Sequence, residues 1–186
     1  MTFQELDKQV LEWNEIANGH RSKQERIITQ IAQCQEEMVN EAMNTIFTIK
    51  KQNESDYGID KDILIKLLDD YADSLFVHTE YGKLTGFKWS MYYELLELIE
   101  YYCLDFFNEL TMIEACQRVI ESNFTKFVPV DEMTQDQAIF EAGLISGRYN
   151  CNCVPEQVNG YWVFRDENGK IRKPSTFKPV YLEDLV

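Results

Sequence analysis

Two pairs of acidic side chains stand at helical spacing on successive predicted helices. Glu37 and Glu41 are four residues apart in "QEEMVNEA", and Asp70 and Asp73 are three residues apart in "LLDDYADSL". Residues three or four apart project from the same face of a helix, so each pair presents two carboxylates in one direction. Apolar residues flank both pairs, which places the carboxylates at the edge of a hydrophobic stripe.

Carboxylates gathered between two helices repel one another and take up protons unless a cation neutralises them. A ligand set made only of hard oxygen atoms is the kind that Mg²⁺ and Mn²⁺ prefer. The four acids therefore predict a site for Mg²⁺, with Mn²⁺ as an alternative. Acid pairs at this spacing also occur on solvated helix faces, and that second interpretation stays open.

Composition limits the classes of partner. The chain has 186 residues, of which 45% are hydrophobic, and this predicts one domain over residues 1–186 with a substantial core. Its formal net charge of −14 disfavours binding to nucleic acid or to an anionic membrane. The polar N-terminus and the absence of a long apolar run predict a cytoplasmic protein. Five irregularly spaced cysteines predict free thiols.

The first two thirds of the chain show helical periodicity. Capping boxes begin predicted helices at Thr2, Ser22 and Thr111. The predicted segments run to Gly19, from Ser22 to about Lys50, from Ile63 to Gly82, from Phe87 to Phe107, and from Thr111 onward. Four to five main helices joined by short links predict an all-α antiparallel bundle.

The last third differs in pattern. An extended segment at about 128–172 interrupts the helices, although "DEMTQDQAIFEAGL" could form another one. Tyr161–Phe164 and Lys170–Arg172 flank the turn "DENG", which predicts a small β-hairpin at the C-terminal end.

Four stretches, in this order, resemble the MazG-like all-α nucleoside triphosphate pyrophosphohydrolases found in phages and bacteria. They are "EEMVNEAMNTI", "LLDDYADSLFVHTEYG", "VIESNFTKF" and "GKIRKPSTFKPVYLEDL", and the resemblance covers about residues 26–185. Two departures stand out. Glu37 and Glu41 are one residue further apart than in the family's Glu-x-x-Glu motif, and Asp70 stands where the family has Glu. Glu36 and Asp69 are candidate substitutes.

The resemblance implies metal-dependent hydrolysis of a nucleoside triphosphate, with a deoxyribose sugar expected, to the monophosphate and pyrophosphate. Glu37, Glu41, Asp70 and Asp73 are then the implied catalytic residues and metal ligands. A carboxylate not fully engaged by the metal would take a proton from the attacking water, and Glu37 is the first choice for this role, with Glu36 as the alternative.

The substrate contacts come from other segments. The resemblance implies that Asn123, Lys126 and Lys173 bind the nucleotide, and the side chains of Trp13 and Asn14 could stack on and hydrogen-bond a base. Each has an ordinary alternative, because Asn and Lys are common at helix ends and a Trp commonly belongs to the core.

Two further expectations concern partners. The run from Phe87 to Phe107 is apolar on too many sides for one helix face, which predicts that a second subunit covers it. The resemblance implies a homodimer or homotetramer, in the cytoplasm of a bacterium or a phage-infected host. The rival function is a catalytically inactive nucleotide-binding or protein-interaction module of the same fold. Its working surface would be formed by exposed aromatic residues, namely Tyr149, Tyr161, Trp162 and Phe164.

Overall fold

The computed structural model describes residues 2–53, 58–86 and 91–186. These residues group into two compact units. The first comprises Met1–Glu12, His20–Ile120 and Val180–Val186, and the second comprises Trp13–Gly19 and Glu121–Pro179. The single domain expected from the sequence stays a prediction.

Within the described residues, the structure is mostly helical with one small sheet, as the sequence predicts. The helical elements are α1 (Phe3–Asn18), α2 (Lys23–Cys34), a π-helical segment (Gln35–Ala42), α3 (Met43–Asn53), α4 (Lys61–Thr85), α5 (Met91–Leu104), α6 (Glu109–Phe124) and α7 (Gln135–Tyr149). The strands are β1 (Phe127–Pro129), β2 (Val154–Val158) and β3 (Tyr161–Arg165).

The predicted long helix after Ser22 is confirmed. Ser22 and Glu25 form a reciprocal capping box that satisfies backbone N–H groups at the start of α2. The helix then continues to Asn53, and its inward face buries Met38, Ala42 and Ile46 completely. Burial of this apolar stripe, rather than intrinsic propensity, holds so long a helix in place.

The centre of this long helix is not α-helical. Gln35–Ala42, eight residues long, forms a π-helical segment, in which backbone hydrogen bonds reach one residue further than in an α-helix. The segment therefore accommodates about one residue more than two α-helical turns would, while the helices on both sides keep their apolar faces toward the core. The segment coincides with the "QEEMVNEA" stretch.

Helix α4 runs antiparallel to this long helix. Near one end, the Gln30 side chain donates to the backbone oxygen of Val77 at 2.7 Å, and further along the Thr45 hydroxyl donates to Asp70 at 2.5 Å. Later residues of one helix thus meet earlier residues of the other. The pairing places the π-helical segment opposite the turn of α4 that follows Asp70.

Two predicted helix boundaries are wrong, the end of α4 and the beginning of α6. Helix α4 continues past Gly82 to Thr85 and ends at Gly86, whose φ of 72° provides the left-handed cap that a glycine adopts at low cost. Helix α6 begins before Thr111, because the Asn108 side chain accepts the Thr111 N–H at 3.0 Å and caps the first turn.

Helix α5 leaves part of its apolar surface uncovered. Met91 is 61% exposed, Tyr101 62% and Leu104 53%. The first residues of the predicted apolar run, Phe87 to Ser90, lie outside the described residues. The homodimer or homotetramer stays a prediction, and this face of α5 is where it would be tested.

The second unit is built on a three-stranded antiparallel sheet in the order β1-β3-β2. Helix α7, with its own capping box at Thr134 and Gln137, packs against this sheet. The apolar core between them consists of Val128, Ala138, Ala142, Ile145, Cys153, Trp162 and Phe164.

The β-hairpin lies one turn earlier in the chain than predicted. Strands β2 and β3 pair across Asn159-Gly160, where both residues have positive φ (49° and 85°), as a tight hairpin turn of the favoured type requires. The "DENG" turn also forms, closed by the Asp166 N–H donating to the Lys170 oxygen at 3.0 Å. Beyond it, only a single bridge joins Arg165 and Ile171.

Two other expectations can be compared with the structure. All five cysteines are free, as predicted. Among the helices of the described residues, none has the length and apolarity that crossing a membrane requires.

We predict that the π-helical segment tolerates loss of one residue. Deleting exposed Asn40 lets the segment become α-helical while both flanking helices keep their register, so the free energy of unfolding changes by less than about 1 kcal/mol. Deleting exposed Ala32 in regular α2 is the control, because it rotates one side of the helix by about 100° against the core. Urea unfolding measures both. Equal destabilisation of the two variants would contradict this account of the segment.

Candidate functional site

Glu37 is the centre of an acidic cluster in the first unit. It lies in the π-helical segment and is half-buried. Burial and, after it, the negative charges of Glu41, Asp70, Glu36 and Asp69 together raise the pKa of Glu37 to about 7. Glu41 and Asp70, two other predicted ligands, thus lie near enough to Glu37 for their charges to raise its pKa.

Asp70 is the most buried member of this cluster, with 4% of its surface exposed. One carboxylate oxygen accepts the Thr45 hydroxyl at 2.5 Å, and the other accepts the Lys66 ammonium at 2.9 Å. Burial raises the Asp70 pKa, while the two hydrogen bonds oppose that increase. Both oxygens of a buried carboxylate are therefore satisfied, as its burial requires.

Lys66 contacts a second acid as well. Its ammonium lies 3.5 Å from Glu41 Oε2, so one cation bridges a carboxylate of the π-helical segment and a carboxylate of α4. Half of the Lys66 side chain is exposed, whereas the Asp70 side chain is 5% exposed. A half-exposed positive charge thus pairs with a buried negative one.

The π-helical segment changes how Glu37 and Glu41 are arranged relative to each other. A π-helical turn contains about one residue more than an α-helical turn. The angle around the helix axis between two residues four positions apart in such a segment is therefore close to that between residues three positions apart in an α-helix. The extra residue between Glu37 and Glu41, compared with Glu-x-x-Glu, is absorbed by the local backbone.

The remaining acids lie at the margin. Asp73 is half-buried on α4. The pKa of the Cys116 thiol is raised to about 12, mainly because the thiol is buried and secondly because of the negative charge of Asp73. Asp73 therefore lies close to α6. Glu36 is exposed and accepts the Asn40 side-chain amide at 2.7 Å.

The chemistry of the donors fits a dication, although the described residues contain no ready-made group of three His, Cys, Asp or Glu side chains arranged to hold a metal. The ligands are oxygens, and a positive charge is already accommodated between Glu41 and Asp70. In addition, Ser74, one turn after Asp70, is fully buried and its hydroxyl has no hydrogen-bond partner within the described residues. An unpaired buried oxygen of this kind can be satisfied by a bound ligand.

The predicted nucleotide contacts Trp13, Asn123 and Lys126 lie together in the second unit. The Trp13 indole N–H donates to the Asn123 backbone oxygen at 2.9 Å, and the Lys126 ammonium donates to Asn123 Oδ1 at 2.5 Å. The indole is 7% exposed and stacks on Phe127 with ring centroids 5.3 Å apart. Trp13 thus has the packing of a core residue, and its contact with a base stays a prediction.

Asn14 and Lys173 are engaged locally. Asn14 is 1% exposed, and its Oδ1 accepts the Asn18 amide at 3.2 Å. The Lys173 ammonium lies 4.4 Å from the centre of the Phe177 ring. Their roles as substrate contacts also stay predictions.

The aromatic surface expected of an interaction module is not present in its predicted form. Trp162 is 5% exposed and Phe164 is fully buried, because both belong to the core under α7. Tyr149 and Tyr161 are half-buried. The prediction of this surface is wrong for Trp162 and Phe164.

A groove of about 290 Å³ in the second unit involves residues that sequence reasoning missed. Its walls include the rings of Phe124, Phe127 and Tyr161 and the side chain of Lys178. None of the five predicted substrate contacts lines it. No spacing in the sequence indicates this groove, because its walls come from distant segments.

Lys66 and Thr45 were also missed, although their spacing offered a signal. Lys66 is four residues before Asp70 and Thr45 is four residues after Glu41, so each shares a helix face with a predicted ligand.

Comparison with known proteins adds no relative. No protein-family model matches the chain, and neither a curated protein nor a solved structure is significantly similar to it. The MazG-like resemblance therefore stays a prediction that depends on the ordered motifs.

We predict that Glu37 makes stability depend on pH in the metal-free protein. Its folded pKa of about 7 exceeds the ordinary value of 4.5, so its contribution is complete below pH 4.5 and is lost as the pH rises through 7. Glu37→Gln should therefore be more stable than the wild type at pH 8 by about 1–2 kcal/mol, since partial exposure screens the repulsion.

Urea unfolding at pH 5 and pH 8 with a chelator measures this effect. The control is Glu36→Gln, which neutralises an exposed neighbour and should leave stability nearly unchanged. If Glu37→Gln loses as much stability as the wild type between the two pH values, the Glu37 carboxyl does not titrate near neutrality.

Proposed function

We propose that the protein is a metal-dependent nucleoside triphosphate pyrophosphohydrolase whose acids in the first unit hold Mg²⁺ or Mn²⁺. The observation that carries the proposal is the convergence of Glu37, Glu41 and Asp70, whose repulsion is relieved by a cation between two of them. Burying like charges without a ligand is costly, and a bound dication would relieve that cost. The order of the sequence motifs supports the same function.

Glu37, Glu41 and Asp70 would hold the dication, and Asp73, three residues after Asp70, is the fourth proposed ligand. When bound, the ion would supply Lewis-acid activation of the phosphate and of the attacking water. The oxygen-only donor set suits this chemistry. The positive charge of the bound ion would also offset the negative charge of the site, which would otherwise repel an anionic substrate.

Glu37 is the proposed general base. A carboxylate that the metal does not fully engage would take the proton from the attacking water, and Glu37 is half-buried beside the acids that would hold the ion. In the metal-free protein its pKa is raised to about 7. Burial and neighbouring acids produce this value, which an exposed glutamate does not have. Glu36, fully solvated on the outer face, is the weaker candidate for the role.

The proposed substrate is a deoxynucleoside triphosphate, cleaved between the α- and β-phosphorus to the monophosphate and pyrophosphate. Asn123, Lys126 and Lys173 are the proposed nucleotide contacts, on the strength of the sequence motifs. A Lys ammonium provides a point charge for phosphate, and an Asn side chain both donates and accepts hydrogen bonds. A homodimer or homotetramer is part of the same proposal.

Pyrophosphate release from a panel of nucleoside triphosphates tests the function. We expect release that requires Mg²⁺ or Mn²⁺, and we expect Glu37→Gln to reduce kcat by about 10²–10⁴-fold, the usual contribution of a general base. Glu41→Gln and Asp73→Asn should also lower turnover, because each removes a proposed metal ligand. Asp62→Asn, an exposed change in the first turn of α4, is the control and should leave kcat unchanged.

Two outcomes would count against the proposal. Full activity in Glu37→Gln or Glu41→Gln would remove these residues from the reaction. A well-folded wild type that releases no pyrophosphate from any nucleotide would favour the catalytically inactive nucleotide-binding or protein-interaction module.

We predict a separate effect for Lys126→Met. Loss of its ammonium should raise the KM for nucleotide about tenfold or more while the Mn²⁺ affinity stays unchanged, because Lys126 is proposed to contact phosphate and not metal. Lys170→Met, an exposed lysine of the same unit that does not line the groove, is the control. An unchanged KM with reduced thermal stability would show that the bond from Lys126 to Asn123 is purely structural.

A further inference from the structure

The position of Lys66 shows how the acidic cluster is kept intact in the absence of a dication. Its ammonium donates to Asp70 Oδ1 at 2.9 Å and lies 3.5 Å from Glu41 Oε2. These two carboxylates belong to different helical segments, so a single cation joins the π-helical segment to α4. The same two carboxylates are among the proposed metal ligands.

The two sides of this contact differ in exposure to solvent. Asp70 is buried and is fixed by the Thr45 hydroxyl on its other oxygen. Lys66 has half of its side chain in solvent, and its four-carbon stem can swing outward without disturbing the core. Its departure would leave Asp70 uncompensated, unless a second cation takes its place.

We propose that Lys66 is a built-in counter-cation that competes with the dication for Glu41 and Asp70. The inference rests on the proposed function, since it concerns the same acids. A dication carries twice the charge of the ammonium and displaces it, and Lys66 then moves into solvent. Lys66 thus sets the affinity for the metal, and the site stays folded when the metal is absent.

Direct titration of Mn²⁺ into the full-length protein, followed by electron paramagnetic resonance or calorimetry without nucleotide, tests this competition. Lys66→Met keeps the length of the side chain but removes its charge, and we expect about tenfold tighter Mn²⁺ binding than in the wild type. Lys66→Arg keeps the charge and can grip a carboxylate with two donors, so we expect weaker binding than in the wild type. Lys61→Met, an exposed lysine on the same helix, should bind like the wild type.

Thermal unfolding provides a second readout that does not need activity. Metal-free Lys66→Met should melt several degrees below the wild type, because buried Asp70 loses its cation. Saturating Mn²⁺ should then raise the melting temperature of Lys66→Met more than that of the wild type.

The outcomes separate this inference from the proposed function. Equal Mn²⁺ affinities of the wild type, Lys66→Met and Lys66→Arg would overturn the role of Lys66 and leave the metal site standing. Weaker binding in Lys66→Met would also overturn it, since Lys66 would then assist the metal. If neither the wild type nor Lys66→Met binds Mn²⁺ at millimolar concentration, the metal site itself is absent and the proposed function fails with it.

Discussion

A buried carboxylate that has to keep its charge is the constraint on which the site depends. Asp70 lies almost completely inside the first unit, where an ionised group costs several kcal/mol unless it is paired and hydrogen-bonded. Thr45 and Lys66 supply these partners from the neighbouring helical segment and from the same helix. Burial and the negative charges of neighbouring acids raise the pKa of Glu37 to about 7.

The backbone enforces this closeness of like charges. The antiparallel packing of α4 against the long helix brings its acidic turn opposite the π-helical segment. Since π-helical turns are wider, Gln35–Ala42 contains one residue more than the α-helical pattern without turning its apolar face away from the core. Met38 and Ala42, both fully buried, hold the segment in place between its acids. Core packing therefore provides the free energy that keeps the carboxylates together.

Much of the fold follows from local sequence signals, but the site depends on non-local ones. The capping boxes at Ser22 and Thr134 use contacts three residues apart, so the beginnings of α2 and α7 are marked in the sequence. The spacing of Glu37 with Glu41 and of Asp70 with Asp73 likewise indicates paired carboxylates on successive helices. Helical periodicity does not show a π-helical segment, because a one-residue insertion shifts the pattern only slightly. The hairpin was misplaced because "VNGY" and "DENG" carry similar turn signals, and only strand pairing selects Asn159-Gly160.

Anomalous scattering from crystals soaked in Mn²⁺ is the most direct test of the central claim. The account predicts one strong peak at about 2.0–2.3 Å from oxygens of Glu37, Glu41 and Asp70, with the Lys66 ammonium moved away from Asp70. A peak-free map in which Lys66 keeps its 2.9 Å contact with Asp70 would contradict it. In that case the acidic cluster would be a structural ion pair, and the chain would lack the metal site on which the proposed hydrolysis depends.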